Sequence, residues 1–98
     1  MTIEIKKMGE EAVIELSGRL DTSTAPVLDK RISEDIAENT HLTLDLKGLE
    51  YISSAGLRVL LSAQKRMKKC GSMKLKNVCE EVMDVFEMTG FADILVIE

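Results

Sequence analysis

The sequence predicts an α/β fold, a mixed sheet of four to five strands flanked by helices in the order β-β-α-β-α-β-α-β. Three observations carry that prediction. Short runs with period-two alternation recur along the chain. From the second run onward they are separated by stretches whose apolar residues repeat at helical spacing. The breaks between them fall at turn-forming residues. Strands that alternate with helices pair in parallel through right-handed crossovers, while two strands joined by a short turn form a hairpin, so the sheet is mixed.

Ile3 and Ile5 alternate with Glu4 and Lys6, the pattern of a half-buried strand. Gly9-Glu10-Glu11 is turn-like, and Ala12, Ile14 and Leu16 then alternate with Val13 and Glu15 as a second strand. Ser17 to Asp21 leaves that strand. Thr22, Ser23 and Thr24 are helix N-cap types and Pro26 suits a first turn. Leu28, Ile32 and Ile36 repeat every four residues, which predicts an amphipathic helix from about 25 to 38.

Leu42, Leu44 and Leu46 alternate with Thr43 and Asp45 as a third strand, and Lys47–Ser53 reads as a loop. From Gly56 the apolar stripe Leu57, Leu60, Leu61 and Met67 predicts a helix ending at Gly71. Its last turns hold Lys65, Arg66, Lys68 and Lys69, cations that suit the negative end of a helix dipole. Met73 and Leu75 alternate with lysines as a fourth strand. Glu80 and Glu81 open a third helix whose apolar face is Val82, Val85 and Phe86. Thr89-Gly90-Phe91 reads as a Schellman ending, with Phe91 packing back on Phe86. Ile94–Ile97 reads as a last short strand.

The 98 residues make one domain, 1–98, with no repeat or linker. Aromatics are 3% of the chain, so an interior of ordinary apolar content must be built from aliphatic residues and six methionines. A net charge of -4 offers no general phosphate-neutralising face, which argues against direct nucleic-acid binding. Cys70 and Cys79 lack metal-binding spacing and His41 stands alone, so neither a metal nor a cofactor is expected. No apolar leader or membrane-spanning run is present, and a reducing cytoplasm is the expected setting.

In a parallel sheet the loops leaving strand C-termini share one edge, the usual ligand-binding edge of α/β folds. Three segments qualify: Ser17–Thr24, Lys47–Gly56 and Asn77–Glu80. That brings Asp21, Thr22, Ser53 and Ser54 toward one another. His41 precedes the third strand and belongs at the opposite edge, so no base accompanies the serines and an enzyme is not expected. A serine ahead of a helix ordinarily caps it, worth ~1 kcal/mol. The functional alternative is phosphorylation, which adds about -1.5 to -2 charge at pH 7 and is tolerated at a helix N-terminus.

Tyr51-Ile52-Ser53-Ser54-Ala55-Gly56-Leu57 after a Leu-Asp-Leu strand resembles the signature of STAS domains, and more closely of bacterial anti-sigma factor antagonists. Gly18-Arg19-Leu20-Asp21 with Thr24-Ala25 resembles their first loop, and Met88-Thr89-Gly90-Phe91 their last helix ending. The resemblance implies a non-enzymatic protein that binds an anti-sigma factor serine kinase and so releases a sigma factor. Phosphorylation would switch it off and a serine phosphatase would reset it. It implies Ser54 as phosphoacceptor, with Ser53 a second hydroxyl where the family usually has an acid. Asp21, Thr22, Thr24, Ser53, Ser54, Ala55, Gly56 and Leu57 would form the partner-binding edge. The alternative within the resemblance is a STAS subunit of a lipid or anion transport complex.

Overall fold

A computed structural model describes residues 1–98. The elements are β1 (Thr2–Met8), β2 (Glu11–Leu20), α1 (Ala25–Asp35), β3 (His41–Ile52), α2 (Ser54–Cys70), β4 (Ser72–Lys76), α3 (Glu80–Thr89) and a 3₁₀ turn at Phe91–Asp93. The four strands lie in chain order, with β1 antiparallel to β2 and the remaining pairs parallel. The β1–β2 hairpin closes at Gly9, whose φ of 62° suits the first position of a tight two-residue turn.

Successive right-handed crossovers that all step the same way along a sheet put their helices on the same face. The burial pattern obeys this. Ala12, Ile14 and Leu16 on β2, Leu42, Leu44 and Leu46 on β3, and Met73 and Leu75 on β4 are buried, while their alternates are not. With Leu28, Ile32, Leu60, Met67, Val82 and Phe86 from the helices they belong to one largely aliphatic core of 22 residues. The opposite sheet face carries Glu4, Lys6, Glu15, Thr43 and Asp45.

Four expectations are corrected. The predicted loop from Lys47 is strand, because β3 runs on to Ile52, paired with an equally extended β2. Two register shifts let it do so: Glu15 and Ser17 face Asp45 and Gly48, and Gly18 and Arg19 face Leu49 and Tyr51. Each leaves one extra residue on β3, so its buried positions step by three, Leu46, Leu49, Ile52, where regular alternation would step by two. At Gly48 the strands are so close that a Cβ would lie 2.6 Å from the Ser17 Cβ.

Helix α1 stops at Asp35, before the predicted 38. Its last carbonyls are taken by Arg66 of α2, which donates from Nη1 to Ile32 O (3.1 Å) and from Nη2 to Ile36 O (2.7 Å). Within the basic run, Arg66 thus caps a neighbouring helix, while Lys68 and Lys69 sit in the last turn of their own.

Helix α2 begins at Ser54, two residues before the predicted Gly56. Finally, the predicted fifth strand reduces to a single parallel bridge, Leu75 to Ile97. The side-chain amide of buried Gln64 fills the gap beside it, donating to Met73 O (3.3 Å) and accepting from Val96 N (3.4 Å). At the end of α3, Gly90 takes the expected left-handed φ of 81°, and half-buried Phe91 packs against the core that Phe86 fills. No helix is long and apolar enough to cross a membrane.

Candidate functional site

The C-terminal ends of β2 and β3 meet in parallel register at Leu20 and Ile52, both buried. The Ser53 amide then donates to Leu20 O at 2.9 Å, so the two following loops leave the sheet together. The first is held by Asp21. Its Oδ1 accepts from the Ser23 amide (3.0 Å), the Ser23 hydroxyl (2.8 Å), and the amide and hydroxyl of Thr24 (3.1 Å each). Thr24 Oγ1 in turn accepts from the Asp21 amide at 2.8 Å, and its one proton is shared between Arg19 O at 2.8 Å and the more distant Asp21 Oδ1. The Ser23 hydroxyl, then the Thr24 amide, hold the Asp21 carboxyl below the usual carboxylate range. Turn residues that read as hydroxyl caps are therefore organised by a carboxylate: the Thr24 side chain makes no cap bond to α1.

The second loop is a single residue. Ser53 has extended backbone (φ -97°, ψ 174°), and its Oγ accepts the Gly56 amide at 3.3 Å as N-cap of α2. Ser54 is the first helical residue; it is exposed and its hydroxyl has no partner within the protein. The two serines therefore differ in kind. One is spent on holding the helix start, and the other faces solvent with its oxygen free.

Of the residues proposed for the edge, the structure brings Asp21, Thr22, Thr24, Ser53 and Ser54 together. Gly56 and Leu57 point inward and offer no surface. Leu57 is 5% exposed, and a Cβ on Gly56 would stand 2.8 Å from Leu20 Cγ and 2.9 Å from Ile52 Cγ1. They are structural residues of the helix start. Ala55 is half-buried, lining a shallow groove of about 420 Å³ between α1 and α2 with Thr22, Pro26, Asp29, Arg58 and Val59.

The third predicted loop does not reach the edge. β4 ends level with Asp45, seven residues short of the end of β3. Asn77 Nδ2 instead donates to Asp45 Oδ1 (3.1 Å), and Cys79 Sγ donates to Leu49 O (3.4 Å). Burial works to raise the Asp45 pKa, but Asn77, the Lys47 amide and the charges of Lys76 and Lys47 outweigh it, and the net shift is downward. His41 lies at the far end of β3, its Nδ1 2.9 Å from Ser72 Oγ. No group of three or more His, Cys, Asp or Glu is placed to share a metal ion.

Two features of the edge escaped sequence reasoning. Arg19 stacks over Tyr51, 4.1 Å from guanidinium carbon to ring centroid, a pair that only the shifted register creates. Arg58 stands exposed one helical turn after Ser54, a relationship visible in the spacing alone.

A mixed sheet covered on one face, with two loops tied at one edge and a free serine at a helix start, defines a small α/β domain built to present a polar edge. The chain belongs to the STAS domain family, whose model matches residues 2–98. It is 31% identical over 96 residues to the anti-sigma-B factor antagonist of Bacillus subtilis, covering 97% of this chain and 88% of that one. It is 30% identical to the anti-sigma-B factor antagonist of Listeria monocytogenes, covering 100% and 89%. Among solved structures it superposes on an anti-sigma factor antagonist from Mycobacterium paratuberculosis with a TM-score of 0.86 at 23% identity, covering 98% and 83%.

Proposed function

We propose that this chain is an anti-sigma factor antagonist that binds an anti-sigma serine kinase through the Asp21–Ser54 edge and thereby frees a sigma factor. Phosphorylation of Ser54 switches it off. The kinase transfers the γ-phosphoryl group of ATP to Ser54 Oγ, releasing ADP and the hydroxyl proton. A serine phosphatase hydrolyses the ester and resets the protein. Such a cycle belongs in the cytoplasm, and both cysteines are unpaired thiols, as suits a reducing compartment.

The observation that carries this reading is the contrast between the serines: the Ser54 hydroxyl is exposed and unbonded, whereas Ser53 Oγ caps the Gly56 amide. It supports Ser54 as acceptor even though Ser53 replaces the acid that usually precedes it in this family. A phosphate at the first turn of α2 meets a favourable dipole, so the modification changes the docking edge without unfolding the domain.

The test is incubation of the protein with its host's anti-sigma kinase and ATP, followed by phosphosite mapping. One phosphate on wild type and Ser53→Ala, and none on Ser54→Ala, is the expected result. Equal phosphate uptake by Ser54→Ala overturns the assignment.

A further inference from the structure

The chain has four arginines, and three of them are engaged. Arg19 stacks on Tyr51, Arg31 pairs with Asp35 at 2.9 Å, and Arg66 caps α1. Arg58 alone has no hydrogen bond, ion pair or aromatic stack. It lies on the exposed side of α2, four residues after Ser54, which is also exposed and unbonded. Residues four apart on a helix are surface neighbours, with Cβ atoms about 5–6 Å apart. Helical side chains lean toward the N-terminus, so a residue covers the turn that precedes it. Arg58 therefore leans over the turn that Ser54 opens. The other charged groups nearby do not compete for it: Asp29 of α1 lines the same groove without pairing with Arg58, and Asp21 is committed to Ser23 and Thr24.

We propose that Arg58 is the internal receptor for a phosphate on Ser54, an inference that rests on the phosphorylation reading above. The planar guanidinium matches phosphate oxygens bidentately, and the i, i+4 spacing closes the pair without moving the backbone. Phosphorylation then does two things at the edge. It adds about -1.5 to -2 charge at pH 7, and it removes the one arginine that is free to meet an acidic partner.

The test places phosphoserine at position 54 biosynthetically, so that no kinase is needed. The second ionisation of the phosphate is followed by ³¹P NMR against pH in the wild-type background, in Arg58→Gln and in Arg58→Lys. Gln and Lys are good helix formers at an exposed position, so the fold is retained. The wild-type midpoint is expected about 0.2–0.4 pH unit below that of Arg58→Gln at low salt, with Arg58→Lys between. The difference is expected to shrink in 1 M salt, where the Debye length is only about 3 Å. Coincident titration curves for wild type and Arg58→Gln overturn the proposal. A kinase that ignores Ser54 while the midpoints differ overturns the functional reading alone.

Discussion

Gly56 sits against Leu20: a Cβ at position 56 would come within 2.8 Å of Leu20 Cγ and 3.0 Å of Leu20 Cδ2. Leu20 is fully buried at the end of β2, so it has little room to yield. This contact sets how closely α2 approaches the sheet edge that carries the serines. Alanine is better than glycine within a helix by about 1 kcal/mol, but overpacking a filled core costs about 1–3 kcal/mol. The clash wins. Gly56→Ala is expected to lower stability by about 1–2 kcal/mol in urea denaturation, and an unchanged or raised midpoint contradicts the packing argument.

The serines are separable by stability as well as by chemistry. Ser53→Ala removes the N-cap of α2 and is expected to cost about 1 kcal/mol, while Ser54→Ala stays within about 0.5 kcal/mol of wild type. Thermal denaturation of both variants at one pH checks this. Equal losses would place Ser54 in the structural role.

Arg66→Gln uncovers the Ile32 and Ile36 carbonyls at the end of α1. Hydrogen bonds to a charged donor are worth roughly 1.5–3 kcal/mol, and part of that is recovered by water at a half-buried site. A loss of about 1–2 kcal/mol is expected. Hydrogen exchange should quicken in the last turn of α1 more than in α2, and uniform quickening would argue for a general packing defect.

The Asp21 loop has a pH dependence of definite sign. Its carboxyl titrates below the usual value of 3.8 in the folded chain, chiefly because the Ser23 hydroxyl and Thr24 amide bond its ionised form. A depressed folded-state pKa contributes stability that is present above the unfolded value and is lost as pH falls through the folded one. The Ser23 and Thr24 amide resonances should therefore hold steady down to about pH 4 and shift only below it. In Asp21→Asn that acid transition should vanish. A transition centred above pH 4 in wild type would contradict the hydrogen-bonding scheme.

Much of the fold was legible because period-two and period-four patterns report on single, regular faces. Leu42, Leu44 and Leu46 announce a strand, and Leu28 and Ile32 a helix, without help from the rest of the chain. Patterns fail where regularity fails. Past Leu46 each extra residue on β3 resets the phase, and the resulting spacing of three looks like neither strand nor a covered helix. Ile94–Ile97 failed the other way, since an aliphatic run is compatible with a strand but does not supply one. There the Gln64 amide stands where part of a ladder would be.

By itself, the sequence determined the order of elements through the third helix, the aliphatic core and the pairing of the first and second loops at one edge. These follow from local periodicity and from the handedness of crossovers, which any chain of this pattern obeys. Only the tertiary structure decided which serine is free. Ser53 and Ser54 are the same residue type at adjacent positions, and sequence chemistry cannot rank them. The extended backbone of Ser53, tied to Leu20 across the sheet, turns its oxygen onto the Gly56 amide. The helical backbone that begins at Ser54 turns the other oxygen out to water, one turn before an unpaired arginine.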